Sequence, residues 1–214
     1  MLELGVKFLI SYFLGSVMGA MVMGRLKGGV DIREMGSGNA GGTNALRTQG
    51  KGFALGVVIV DIGKGALAAG VVPMLSLSVF TEPSVVSVQT MALICAAAAV
   101  MGHVWPVYHR FRGGKGAATY IGGLLVVAPQ LVPLMLLVFA VSLVLSGFVG
   151  LSTMLAASSL PAWSAVLDIK DQNFIVFGVL MALFIIYCHR SNISRMRAGN
   201  ENRNERVMLF ARKS

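Results

Sequence analysis

This chain is short of charge, and of negative charge above all. Only 13% of its 214 residues are charged, with nine Asp and Glu against 18 Lys and Arg, a net charge of +9. A soluble domain carries about a quarter charged residues, so a large water-facing domain is excluded. Cysteine is scarce as well. Cys95 and Cys188 both fall in or at the end of apolar runs, which excludes a disulfide framework. With three histidines and no metal-ligand spacing among them, neither a metal nor a cofactor is expected. The first residues lack a clear small-residue cleavage site and place Glu3 before Lys7, so they are expected to be a retained span rather than a secretory signal. The positive charge lacks an RNA- or DNA-binding motif, and nucleic acid is not an expected partner.

What is abundant is apolar sequence: 56% of the chain, with a mean hydropathy of +0.76. A membrane span needs roughly 20 mostly apolar residues. Hydropathy places seven such segments near Leu4–Met23, Phe53–Leu77, Val85–Met101, Ala117–Ala128, Leu131–Ser146, Gly150–Leu167 and Phe174–Tyr187. Backbone in lipid must satisfy its hydrogen bonds internally, so these segments should be helices. The fourth is short, starts in glycine-rich sequence and stops at Pro129, which leaves a half-buried or re-entrant segment open. The expected architecture is all-α and polytopic, one domain over residues 1–214.

Charge sidedness tests the count. Fifteen of the 18 basic residues lie in three places: five between Arg25 and Lys51, three at Arg110, Arg112 and Lys115, and seven after Tyr187. The alternate connections, near Ser78–Glu82, Pro129, Ser146 and Lys170, hold one. Seven spans put all three basic segments on one face. The positive-inside rule makes that face cytoplasmic, with the amino terminus outside and the carboxyl terminus inside. Attraction to anionic lipid heads accounts for part of this charge.

Three polar segments on that face carry the candidate chemistry. The first, Gly36-Ser37-Gly38-Asn39-Ala40-Gly41-Gly42-Thr43-Asn44-Ala45-Leu46-Arg47, combines glycines, whose backbone N–H groups can approach an anion closely, with neutral donors at Ser37, Asn39, Thr43 and Asn44. Arg47 adds a planar fork suited to phosphate. Gly36, Gly38 and Gly41 match the dinucleotide G-x-G-x-x-G spacing, but that fingerprint needs a preceding strand and here an apolar helix precedes it. In the second segment, Gly102 to Thr119, the run Gly113-Gly114-Lys115-Gly116 offers a glycine backbone with a lysine for phosphate, without the Ser or Thr of a Walker loop. Thr119 lies four residues after Lys115, one turn on if the helix includes both. Trp105, Tyr108 and Phe111 suit the membrane interface. His103 fits either a proton carrier or a hydrogen-bonded structural histidine. The third segment, His189 to Glu201, puts His189 and Asn192 on one face if the last helix continues, with Arg195 following. Asp61 and Lys64, three apart inside the second span, form a candidate intramembrane pair. A small anion transporter would explain basic loops and buried charges too, but its polar groups belong at the midplane of repeated halves. Here they gather at one face.

Together, these segments resemble the bacterial acyl-phosphate:glycerol-3-phosphate acyltransferases, over essentially the whole chain. Gly36–Arg47 looks like that family's serine/asparagine/glycine motif. Gly102–Thr119 looks like its Gly-His-x-aromatic-Pro motif running into Gly-Gly-Lys-Gly. His189, Asn192, Arg195, Gly199 and Glu201 look like its carboxyl-terminal motif, and Asp61 with Lys64-Gly65 resembles a further family feature. Ala40 and Ala117 depart from the pattern without removing a donor, whereas Cys188 stands where a basic residue often precedes the histidine. The resemblance implies transfer of a fatty acyl group from acyl phosphate to the 1-hydroxyl of glycerol 3-phosphate, at the cytoplasmic face of the bacterial inner membrane, by a monomer. It implies that Ser37, Arg47, Lys115, His189 and Asn192 act in catalysis. Gly38, Asn39, Gly41, Thr43, Asn44, His103, Gly113, Gly114, Gly116, Thr119, Arg195 and Glu201 would bind substrate or phosphate.

Overall fold

A computed structural model describes residues 1–76 and 86–210. The ends expected at Leu77 and Val85, the connection expected at Ser78–Glu82, and the basic Arg212 and Lys213 lie outside the described residues. Among those described there is no strand, and the chain divides into two compact units, Met1–Ala128 and Pro129–Ser214.

Among its described residues the first unit contains six α-helices: α1 (Leu2–Gly15), α2 (Gly19–Leu26), α3 (Gly42–Gln49), α4 (Lys51–Gly70), α5 (Val88–Val104) and α6 (Ala117–Val127). The first apolar segment, expected to be continuous, is broken: α1 and α2 meet at 40°. Small residues let the helices pack backbone to backbone. A Cβ on Gly102 of α5 would collide with the Tyr12 carbonyl of α1, and one on Gly65 of α4 with the Thr119 carbonyl of α6. Contacts of this kind replace hydrophobic segregation where the solvent is itself apolar. Near the start of α1, Lys7 is buried, donates to the Pro73 carbonyl beyond α4 (2.8 Å) and pairs with Glu3 (2.7 Å). The cation thereby meets a carbonyl that a helix end leaves unpaired.

The second unit contains α7 (Leu131–Ser146), α8 (Val149–Ser158), α9 (Leu160–Val166), α10 (Gln172–Cys188) and α11 (Arg190–Arg197). Asp171 caps α10 by accepting from the Asn173 and Phe174 N–H groups. Pro161 sits in the first turn of α9, where its missing N–H costs nothing. α10 and α11 are bent by 54°. α7 and α10 expose Leu136, Leu137, Val141, Leu145, Val176, Leu180 and Leu183. Apolar rows of this length are stable against lipid, not water.

By length and composition, Lys51–Met74, Val88–His109 and Val149–Val166 can each cross a membrane, and the two bent pairs raise the number to five. α6 and α7 are shorter apolar helices.

Candidate active site

The first polar segment is shaped from within. Asp31 opens a short turn over Ile32–Glu34 by accepting from the Arg33 N–H (2.9 Å), and its carboxylate holds the Arg33 guanidinium in a fork at 3.0 and 2.6 Å. The Arg33 hydrogen bond holds Asp31 below the usual carboxylate range, and Asp31 in turn raises Arg33. Arg33 also donates to the carbonyls of His109 (3.3 Å) and Arg112 (3.2 Å). One guanidinium therefore ties the first polar segment to the second.

Asn44 is buried, and its carboxamide is engaged throughout. Oδ1 accepts from the Ser37 N–H (3.0 Å), while Nδ2 donates to the carbonyls of Ile32 (2.8 Å) and Met35 (3.0 Å). Its side chain is the internal template of the turn that carries Ser37, with Gly36 and Gly38 at positive φ (56° and 70°). Gly42–Gln49, which falls outside every segment expected to be a helix, forms the eight-residue α3, with Gly41 at its amino-terminal cap. Ser37, Gly38, Thr43 and Arg47 are exposed, and Asn39 and Gly41 partly so. Thr43 and Arg47, four apart on α3, share a face.

In the second segment, Arg110 and Phe111 both adopt left-handed backbone (φ 55° and 58°), a conformation that surrounding structure must enforce. The segment then turns inward. Gly114 N–H donates to the His103 carbonyl (3.1 Å). A Cβ on Gly113 would strike that same carbonyl, and one on Gly114 the His103 ring at Nε2. Lys115 is half-buried. Gly116 is left-handed (φ 82°) and caps α6. Lys115 therefore precedes the helix, and the one-turn spacing to Thr119 does not apply. Thr119 is fully buried in the α4–α6 contact, its hydroxyl without a hydrogen-bond partner. Where the segments meet, a cleft of about 320 Å³ opens between Asp31, Arg33, Tyr108, His109, Arg110 and Arg112; no predicted site residue lines it.

Behind the Gly113–Gly116 turn lies a buried polar cluster that the sequence reading saw only in part. Asp61 and Lys64 of α4 pair at 2.9 Å, and Lys64 Nζ is 2.8 Å from His103 Nδ1. Lys64 also donates to the Val17 carbonyl (2.8 Å), and Asp61 accepts from the Gly19 N–H (3.1 Å). These are the backbone groups stranded by the α1–α2 break, since Met21 N–H bonds to Met18 rather than Val17. The pair thus repairs a broken helix, as lipid demands.

The third segment belongs to the second unit. His189 sits at the α10–α11 bend, 4% exposed, with Nδ1 2.8 Å from the Ile185 carbonyl. A carbonyl only accepts, so Nδ1 carries the proton. Glu201 is bound at both oxygens: Asn192 Nδ2 donates to Oε1 (2.8 Å) and Arg195 Nε to Oε2 (2.6 Å). Gly150 on α8 leaves room for Asn192, which a Cβ there would crowd. Among the described residues, no group of three or more His, Cys, Asp or Glu is placed to hold a metal ion.

Residues 6–199 match the profile of the family described as glycerol-3-phosphate acyltransferase. The chain belongs to that family. It is an acyltransferase and a multi-pass membrane protein. The glycerol-3-phosphate acyltransferase of Bacillus cytotoxicus is 42% identical, with 88% of each chain covered. Two solved structures of PlsY (YgiH), an integral membrane glycerol 3-phosphate acyltransferase, align over 94% of each chain. Its glycerol 3-phosphate form has a TM-score of 0.79 at 31% identity, and its lysophosphatidic acid form 0.78 at 30%.

Sequence reasoning missed two residues that organise this family member's loops: Arg33, and Asn44 in its actual role. Arg33 had a weak signal, the Asp31-x-Arg33 spacing that favours a local fork. Asn44 had none, because its helix and its burial are set by packing that the sequence does not display.

Proposed function

We propose that this chain transfers a fatty acyl group from acyl phosphate to the 1-hydroxyl of glycerol 3-phosphate, giving lysophosphatidic acid and phosphate for phospholipid synthesis. The observation that carries this reading is the Arg33 bridge. Arg33, just before the segment bearing Ser37, Thr43 and Arg47, ties that segment's base to the one bearing Gly113–Gly116 and Lys115, which supports two sets of phosphate donors acting side by side. The names of the solved forms, one with glycerol 3-phosphate and one with lysophosphatidic acid, support substrate and product.

The acyl phosphate is a mixed anhydride and needs no enzyme nucleophile. The glycerol oxygen attacks the acyl carbon, the carbon–oxygen bond to phosphate breaks, and phosphate leaves with the bonding electrons. Lys115 and Arg47 hold phosphate and stabilise the charge on the leaving group, while Ser37, Thr43 and the backbone of Gly38, Asn39 and Gly41 orient the donors. Asn44 acts through Ser37 by holding the turn. His189 and Asn192 position glycerol 3-phosphate, with Glu201 and Arg195 fixing Asn192. The proton goes to the substrate phosphate or to His189, whose Nδ1 proton makes Nε2 the basic atom. Glu201 is a poorer acceptor, because both of its oxygens already accept.

Three long spans, two bent pairs and the shorter α6 and α7 supply seven apolar segments. This supports seven crossings, with the basic segments on the cytoplasmic face of the inner membrane. The test is acyl transfer by the purified protein, offered acyl phosphate, acyl-CoA and acyl carrier protein separately. Product from acyl phosphate alone is expected; no product from any donor overturns the proposal. A covalent acyl-enzyme trapped without glycerol 3-phosphate would overturn direct transfer.

A further inference from the structure

We infer that Lys64 locks His103 as the neutral Nε2–H tautomer, and that this makes His103 a positioning residue for the Gly113–Gly116 turn rather than a proton acceptor. The activity part of this inference rests on the function proposed above; the tautomer does not.

The argument begins with donors and acceptors. An ammonium group has three N–H donors and no acceptor. Lys64 Nζ lies 2.8 Å from the Val17 carbonyl and 2.9 Å from Asp61 Oδ1, two oxygens that only accept, and 2.8 Å from His103 Nδ1. A buried carboxylate needs a cation beside it, so Lys64 is the ammonium, which gives two N–H groups to these oxygens and has its third left for Nδ1. Asp61, 1% exposed beside it, supplies the matching negative charge. His103 Nδ1 also lies 3.3 Å from Asp61 Oδ1. An Nδ1–H aimed there would set one donor against another across the shorter contact to Lys64. Nδ1 is therefore the lone-pair side of the ring, and the ring proton belongs on Nε2.

The Nε2 edge is the one against the turn. A Cβ built on Gly114 meets Nε2 before any other atom. His103 grips the turn by its backbone too, since its carbonyl accepts from Gly114 N–H at 3.1 Å. Gly113 and Gly114 have no side chains because the ring and carbonyl of His103 occupy that space. The turn that presents Lys115 is thus seated on one histidine, whose orientation is fixed by a cation on another helix. The same cation and its carboxylate partner hold the α1–α2 break. A single buried cluster couples the shape of the broken helix to the position of the glycine-lysine turn. A ring held this way has its lone pair committed to Lys64, so it is not available to take a proton from a substrate hydroxyl.

The first test is nitrogen NMR of the full chain, labelled with 15N-histidine, in detergent micelles or nanodiscs. The chain has three histidines, and loss of one pair of signals in His103→Gln assigns the ring. A protonated Nε2 with an unprotonated Nδ1 at neutral pH is expected. A protonated Nδ1 on His103 overturns the inference. In the D61N/K64M double variant, which removes both charges together, the same ring should lose its fixed tautomer; an unchanged spectrum also overturns it.

The second test compares two substitutions by acyl transfer. Gln can place an N–H where Nε2–H stands, whereas Asn mimics only the Nδ1 side. His103→Gln should retain at least about tenfold more turnover than His103→Asn, the scale on which a misplaced binding group costs rate. Equal turnover of two variants with equal thermal stability overturns the positioning role. If the wild-type protein acylates nothing, the proposed function falls, while the NMR result still decides the tautomer.

Discussion

Among the described residues, two helix pairs bend sharply, α1–α2 within an apolar segment and α10–α11 just past the end of one, and they are repaired by opposite means. The α1–α2 break strands a carbonyl at Val17 and an N–H at Gly19, and these are met by Lys64 and Asp61, 47 and 42 residues away in sequence. The α10–α11 bend is repaired within its own turn: His189 N–H bonds back to Ile185 and Ile186, and the His189 ring bonds to Ile185. One repair uses a buried ion pair borrowed from another helix, the other a side chain of the bend itself. The two buried histidines differ accordingly, one accepting at Nδ1 from a cation and the other donating there to a carbonyl. A distant charged repair binds helices together but is fragile, because removing either ion strands the other. A local repair constrains less and fails gently.

That contrast can be broken most directly at Lys64. Replacing it with Met leaves Asp61 buried and unpaired, and should cost about 3–5 kcal/mol, measured by thermal unfolding in detergent. The D61N/K64M double variant should recover part of that loss; if it is no more stable than the single variant, the ion pair is not the support of the first break. Next in size, Gly114→Ala drives a methyl group into the His103 ring and should cost about 1–3 kcal/mol by overpacking, with acyl transfer reduced. His189→Ala removes one hydrogen bond from the second break and should cost only about 1–2 kcal/mol in the same unfolding assay. Its acyl transfer, if His189 takes the proton, should nevertheless fall by about a hundredfold or more. Asp31→Asn has the smallest effect, about 0.2–1 kcal/mol for a partly exposed pair in a loop. Asp31 is held below its ordinary range by Arg33. Its contribution is therefore present above the pKa of an unfolded Asp and disappears as pH falls through the lowered folded value. Unfolding followed down the acid range should show that loss in the wild type and not in the Asn variant.

The same contrast explains what could be read from the sequence. The helical class and the positions of the apolar segments were legible because hydropathy is a local property. The pairing of Asp61 with Lys64 was legible for the same reason, being one helical turn. Their tie to Val17, Gly19 and His103 was not, since nothing local says which backbone groups will be stranded by a bend. The break itself was hidden: the run from Leu4 to Met23 has no proline, and glycines at 15 and 19 are ordinary in membrane helices. α3 was missed because its opening Gly42-Thr43-Asn44 has low helix propensity, and packing of Ala45 and Asn44 prevailed. In the candidate site, the residue types were legible and the division of labour was not. Asn44 looks from sequence like a ligand donor, and only the fold reveals that its carboxamide faces the chain's own backbone.

The distant repair of the first break also bears on how the protein is made. As the chain emerges, α1 and α2 enter the membrane before α4 has been synthesised, so the bend arrives with its carbonyl and N–H unmet. A helix in that condition is not a finished transmembrane unit. It must stay near the polar lining of the insertion machinery, or take up water, until Lys64 and Asp61 are delivered beside it. The first two apolar segments should therefore partition into lipid as a joined pair rather than one after the other. A truncated chain ending before Asp61 should remain extractable from the bilayer.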